Sequence, residues 1–167
     1  MKRHMDLTRT IIIGNCGSGK SWLGEQISAQ KEIKYIDLDE INWMPGNYNI
    51  ARSRDTAIAL LRTQTECGHW IAEGIYGWLV QEFVQNATAL IWMRLTEEEC
   101  VSNIRQRGLR RGGTENGLKE LLDWTTSYQT RLGSSAYSGH LKIFNAFDGE
   151  KICIHDRGEA SAFLSRS

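Results

Sequence analysis

The chain has 167 residues, 41% of them hydrophobic, enough to bury one substantial core, so a single domain over 1–167 is expected. Twenty Lys and Arg balance 20 Asp and Glu, which argues against the global basic field that drives wholesale nucleic-acid or membrane binding. Cys16, Cys67, Cys100 and Cys153 form no C-x-x-C pair. They suit neither a disulfide framework nor a zinc site, and fit a reducing cytoplasm.

The stretch from Met1 to Asp6 is basic but leads into no long apolar run, so no signal peptide is expected. Ile11 to Ile13 and Ala89 to Met93 are far too short to span a bilayer. Thr10-Ile11-Ile12-Ile13 reads as a strand and feeds Gly14-Asn15-Cys16-Gly17-Ser18-Gly19-Lys20-Ser21, the pattern G-x-x-x-x-G-K-[ST] between a strand and a helix. Its glycines let successive backbone N–H groups turn inward as a nest for anionic oxygens at the positive end of the next helix. In such a loop Gly14 to Ser21 cradle the phosphates of a nucleoside triphosphate. Lys20 then reaches the β- and γ-phosphates, and Ser21 offers its hydroxyl to Mg²⁺. Cys16 is either a small filler at a variable loop position or a thiol of lowered pKa.

From Lys20 to about Gln30 a helix is expected, with Leu23 and Ile27 on one face, followed by a short strand over Lys34 to Asp37. Asp37 to Tyr48 mixes acids, amides, aromatics and the sole proline, and reads as a loop with little regular structure. Ser53 to Cys67 looks helical and ends at Gly68, and Trp70-Ile71-Ala72 is the next strand, stopping at Glu73-Gly74. Trp78 to Gln85 reads as a short helix. Ala89 to Met93 reads as a central parallel strand covered on both faces. Thr96-Glu97-Glu98-Glu99 is a capping box whose helix turns Cys100, Val101 and Ile104 to the core. It runs into the basic, glycine-rich Arg105 to Gly113. Leu118, Leu121, Leu122, Thr125, Tyr128 and Leu132 mark a long helix, Ala136 to Phe147 another, Ile152 to Ile154 the last strand and Glu159 to Leu164 the last helix. The alternation predicts an α/β fold, a parallel five-stranded sheet with helices on both faces and ligands at the strands' C-terminal ends.

Phosphoryl transfer needs held phosphates, cations that follow the developing charge and a group that orients or deprotonates the acceptor. Asp37, Asp39 and Glu73 fall at strand ends on the loop's edge, as partners of Mg²⁺ or of an acceptor hydroxyl. Which of them does which stays open. Arg105, Arg107, Arg110 and Arg111 sit among glycines between two helices, as in a mobile basic lid over about 105–116. Arg131 is a further catalytic candidate.

On these residues the chain resembles the small adenylate-kinase-like P-loop kinases, and among them the DNA topology modulation proteins. The resemblance rests on Gly14 to Ser21, Leu38-Asp39-x-x-x-Trp43-x-Pro45-Gly46, Trp70-Ile71-x-Glu73-Gly74-x-Tyr76, the basic lid and Asp156-Arg157-Gly158-Glu159 with Phe163-Leu164. It implies an ATP site with Arg157 flanking the adenine and Arg105 and Arg107 over the phosphates. It further implies an acceptor pocket lined by Asp37, Asp39, Trp43 and Glu73, within a loop over about 37–50. The acid pair after the second strand is also similar to shikimate and gluconate kinases, whereas the Asp-Gly-Phe-Pro segment of adenylate kinases is missing.

The expectation is therefore an ATP- and Mg²⁺-dependent kinase, monomeric or homodimeric, acting on a small-molecule acceptor with no membrane partner. A nucleic-acid partner is disfavoured by the balanced charge but stays open. A regulatory GTPase would need an N-K-x-D guanine reader, and none occurs. The competing expectation is a DNA-associated ATPase or nucleotide-sensing regulator.

Overall fold

The computed structural model describes residues 4–110 and 113–167, and of residues 47–49 the backbone only. Arg111 and Gly112 of the expected lid, and the side chain of Tyr48, lie outside the described residues.

The strand β1 (Arg9–Gly14) is central because nothing in it tolerates water: Ile11, Ile12 and Ile13 are all fully buried. β-Branched side chains pack well on a pleated surface, and three in succession require cover on both faces. Around it the other strands, β2 (Lys34–Asp37), β5 (Trp70–Glu73), β6 (Ala89–Met93) and β7 (Glu150–Ile154), form a five-stranded sheet in the order β2-β5-β1-β6-β7. All four pairings are parallel. Ile11 and Ile13 face a core with Trp70, Trp92, Ala57 and Leu61, whereas Ile12 faces one with Leu23, Ile27, Ile91 and Phe163. Helices α1 (Lys20–Lys31), α5 (Glu97–Arg107) and α8 (Arg157–Leu164) supply the second core, and α3 (Arg54–Thr65), α4 (Gly77–Val80) and α7 (Tyr137–Ala146) the first. Full burial of each isoleucine is worth roughly 2 kcal/mol.

The register sets the ligand edge. Asp37 pairs with Glu73, Ile12 with Glu73 and Gly14 with Met93, so the ends of β2, β5, β1 and β6 lie side by side. The chain leaves β1 toward β2 on one side and reaches β6 and β7 on the other, which makes β1 the point where strand order reverses and a crevice opens. Among the described residues no helix is long and apolar enough to cross a membrane.

Three sequence expectations need correction. The irregular loop expected over Asp37 to Tyr48 contains a helix, α2 (Leu38–Asn42), and a hairpin of β3 (Trp43–Met44) and β4 (Asn47–Ala51). Asp37 starts that helix by accepting from the Asp39 N–H at 2.8 Å, and Leu38 and Ile41, three apart, bury its inner face. The long helix breaks early, because α6 (Glu115–Thr126) ends at Ser127 and Leu132 is 90% exposed. Tyr128 is buried by a turn instead. The expected helix over Trp78 to Gln85 divides into α4 and a 3₁₀ turn, Val84–Asn86. Elsewhere the helix signals hold except at the expected lid, where Arg105 and Arg107 form the last turn of α5, which stops at Gly108. The capping box of α5 is complete, with Thr96 and Glu99 each satisfying the other's backbone N–H.

Candidate active site

The loop from Gly14 to Ser21 closes against α5 and β6. A Cβ at Gly17, whose φ is +72°, would run into the Cys100 carbonyl and the Ile104 side chain, so only glycine fits. Asn15 is 1% exposed and anchors the loop from behind, its Nδ2 donating to the Thr125 carbonyl at 2.9 Å and its Oδ1 accepting from Cys16 N–H at 2.8 Å. The Lys20 Nζ donates to the Asn15 carbonyl at 2.7 Å, which folds the ammonium under the loop with two of its three donors left for an anion. Ser18 Oγ is buried with no hydrogen-bond partner among the described residues. An inward ammonium and an orphaned hydroxyl beneath a glycine nest fit an incoming polyphosphate. For Cys16 the filler reading prevails: burial raises its thiol pKa, and the nearby Lys20 only moderates the rise.

Three carboxylates stand on the β2–β5 side, each held differently. Glu73 is 3% exposed and accepts from Ser21 Oγ at 2.9 Å and from the Tyr35 hydroxyl at 2.8 Å. Burial lifts its carboxyl above the ordinary range and Asp37 adds to the rise, while Lys20 and the two hydroxyls oppose it. Tyr35 reaches Glu73 across Gly24, where a Cβ would stand 2.9 Å from its ring. Asp37 is occupied as the cap of α2. Asp39 is half-buried and accepts from the Tyr76 hydroxyl at 2.6 Å. Burial and Asp39 raise the Tyr76 phenol's pKa, and Trp43 opposes the rise, so Trp43 lies close to the same hydroxyl. Thus Asp37, Asp39, Trp43 and Glu73 gather on one side of the loop, with Tyr35 and Tyr76 as braces.

Ser21, Asp37 and Glu73 present oxygen donors beside the loop, the chemistry Mg²⁺ prefers. Among the described residues there is no group of three or more His, Cys, Asp or Glu able to cage a metal. A magnesium ion here would draw its other ligands from phosphate and water, as Mg²⁺ usually does.

The arginines divide. Arg107 lies on the stripe of α5 that carries Cys100 and Ile104 against the loop, and its charge is felt at Cys16. Arg105 lies on the other side of α5, lining a surface cavity with Glu98, Val101, Ser102 and Gln106. Half-exposed Val101 thus faces this cavity rather than the core. Arg131 stacks on Trp124 at 3.5 Å, and its two terminal nitrogens donate to the carbonyls of Trp124 and Ser135, each at 2.6 Å. Arg157 is exposed and donates to Asn103 Oδ1 at 2.6 Å.

Behind the loop a polar chain crosses the core. Trp92 Nε1 donates to the Tyr128 hydroxyl at 3.1 Å, that hydroxyl donates to His140 Nδ1 at 2.7 Å, and His140 Nε2–H donates to the Ile75 carbonyl at 2.8 Å. His140 is fully buried, and desolvation lowers its pKa to about 4. Tyr35, Asn103 and His140 carry no motif, which is why sequence reading passed over them. The only signal is that Tyr35 shares a strand face with Asp37.

The chain matches no protein-family model and no curated protein. Solved structures do match. One is a sugar kinase from Janibacter sp. HTCC2649, with a TM-score of 0.57 and 12% identity over 95% of this chain and 91% of that one. Others are a gluconokinase from Sinorhizobium meliloti 1021 (TM-score 0.55, 16% identity, 98% and 94% covered) and a shikimate kinase from Aquifex aeolicus (0.54, 17%, 94% and 91%). The chain has the α/β fold of the small P-loop kinases. At these identities the likeness is one of fold, and chemistry has to be argued from the site itself.

Proposed function

We propose that this chain is an ATP- and Mg²⁺-dependent phosphotransferase that moves the γ-phosphate of ATP to a small hydroxyl- or phosphate-bearing acceptor. The observation that carries the reading is the Ser21 Oγ–Glu73 Oε1 hydrogen bond of 2.9 Å, which joins the end of the phosphate loop to the carboxylate side of the crevice. A phosphate held by the loop therefore lies beside the carboxylate flank, from which the charge of Asp39 reaches Cys16, and donor and acceptor can meet without a large rearrangement.

In this reading residues 1–167 form one catalytic unit. The backbone N–H groups of Gly14 to Ser21 hold the phosphates, and Lys20 follows the charge that develops on the γ-phosphoryl oxygens. Ser21, and Asp37 through water, are the residues that would hold Mg²⁺, whose charge neutralises the phosphate oxygens when it is bound. Asp39 takes the acceptor's proton or orients its hydroxyl, because it alone of the three carboxylates is neither sealed in the core nor spent as a helix cap. Tyr76 fixes its angle, and Glu73 positions Ser21. Arg107 closes from the lid at 105–116, and Arg105 and Arg131 must leave their present settings to reach the phosphates. We read the motifs around Trp43 and Trp70 as kinship with the DNA topology modulation group, and the chain as a cytoplasmic monomer or homodimer.

The test is ADP release from ATP with Mg²⁺ across a panel of nucleosides, nucleotides and small hydroxy acids. Release that depends on one class of acceptor supports the reading. Release that depends on DNA and on no small acceptor would replace it with a DNA-associated ATPase.

A further inference from the structure

The loop has a second flank, opposite the carboxylates, and one side chain bridges it. Asn103, half-buried on the inner face of α5, donates through Nδ2 to the Gly17 carbonyl at 2.8 Å and accepts through Oδ1 from Arg157 Nη2 at 2.6 Å. Only one orientation of the amide satisfies both partners, since the carbonyl must receive an N–H and the guanidinium must give one. Asn103 follows β6, and Arg157 opens α8 after β7. Both therefore stand on the side of β1 away from β2 and β5, where Asp37, Asp39 and Glu73 gather.

Arg157 has no acidic partner among the described residues; its recorded tie is the neutral amide. An exposed guanidinium normally samples many rotamers. Held by Asn103, its plane stays at a set offset from the phosphate loop and offers a flat cationic face on which a nucleobase can stack. Phosphates in the loop put the rest of a nucleotide on one flank or the other. The carboxylate flank is already lined for an acceptor in the proposed reading, and the Arg157 flank is the one left for the base.

We infer that Asn103 is a positioning residue for the nucleobase: by tying Arg157 to the Gly17 carbonyl it sets the distance between the base platform and the phosphate loop. This rests on the proposed nucleotide site and adds to it which residue makes the site prefer a nucleotide over a bare polyphosphate. Asn103 touches neither the phosphates nor the acceptor side. The loop is independently held by the Lys20–Asn15 and Asn15–Thr125 hydrogen bonds and by the packing of Gly17 on α5.

The experiment compares affinities for ATP and for inorganic tripolyphosphate, both with Mg²⁺, in the full-length protein and its Asn103→Leu, Arg157→Gln and doubly substituted forms. The wild-type protein binds ATP at least about tenfold tighter than tripolyphosphate, the margin supplied by a stacked and charged contact. Asn103→Leu removes most of that margin, weakening ATP roughly tenfold while tripolyphosphate stays within about twofold. Because Asn103 acts through Arg157, adding Asn103→Leu to Arg157→Gln changes ATP affinity by less than about twofold. Equal losses for ATP and tripolyphosphate in Asn103→Leu would overturn the inference and leave Asn103 as a brace of the loop. Additive losses in the double variant would also overturn it, as would a wild-type protein that binds both ligands equally. A wild-type protein that binds neither ligand would remove the nucleotide site and this inference together.

Discussion

The two flanks of the phosphate loop are built from opposite materials. Toward β2 and β5 stand three carboxylates, two of them braced by hydroxyls, with Glu73 tied to Ser21 and Tyr35, and Asp39 to Tyr76. Toward β6 and β7 stands a guanidinium braced by an amide, with Arg157 on Asn103 and Asn103 on Gly17. The loop at the end of β1 belongs to both, because β1 is where the strand order reverses. In the proposed reading, one sheet edge separates a group that gives a phosphoryl from a group that takes it. Acids on one side can manage a proton, and a flat cation on the other can hold a base.

The comparison is broken most completely at its shared centre. Lys20→Ala should lower turnover on the order of a thousandfold, since the ammonium serves transition-state charge on phosphate. The fold should survive, as the one hydrogen bond Lys20 gives among the described residues goes to the Asn15 carbonyl. Circular dichroism beside steady-state kinetics checks both halves of that statement.

Next comes the carboxylate flank alone. Asp39→Asn keeps an oxygen for the Tyr76 hydroxyl but cannot take a proton, so acceptor-dependent ADP formation should fall on the order of a hundredfold. Wild-type rates with every active acceptor would remove Asp39 from the mechanism.

The polar chain through His140 lies behind both flanks, meeting Ile75 next to Tyr76, and Tyr128 shortly after Thr125, whose carbonyl holds Asn15. His140 titrates at about 4 in the folded protein because desolvation disfavours its charge, and Lys20 and Arg131 add to the effect. The unfolded chain takes up that proton near ~6.5, so it binds more protons than the native state between these values. Stability at neutral pH is therefore lost as pH falls from ~6.5 toward 4, by on the order of 3 kcal/mol from this residue. Urea unfolding at pH 7 and pH 4.5 should show a steeper loss for the wild-type protein than for His140→Gln. Parallel losses would show that His140 does not govern the acid response.

The smallest expected effect sharpens the picture of Glu73. Tyr35→Phe removes one of its two hydroxyl donors and leaves Ser21, so stability should drop by about 1 kcal/mol, with turnover changed only a few-fold.

What could be read in advance follows from how local each requirement is. Gly14 to Ser21 announce themselves because phosphate binding by backbone demands glycine at fixed offsets, and Thr96 with Glu99 because a capping box spans four residues. Four of the five strands were legible from short apolar runs between turn signals, and Lys34–Asp37 from its place after the first helix. The hairpin of β3 and β4 was not, since a two-residue strand beside Pro45-Gly46 has too few alternations to register. Leu132 matched the periodicity of α6 by coincidence, and nothing local shows that the helix ends at Thr126. Asn103 and His140 are harder still. Asn103 is 86 residues from Gly17 and 54 from Arg157, and His140 is 65 residues from Ile75, so their roles exist only once the chain has folded.

The division between flanks is tested most directly by titrating ATP with Mg²⁺ into Asp39→Asn beside the wild-type protein. If Asp39 belongs to the acceptor side, the two affinities agree within about twofold, because the loop, Lys20 and Arg157 are untouched. A tenfold or greater weakening would put Asp39 in the metal–nucleotide site and contradict the separation of the two flanks.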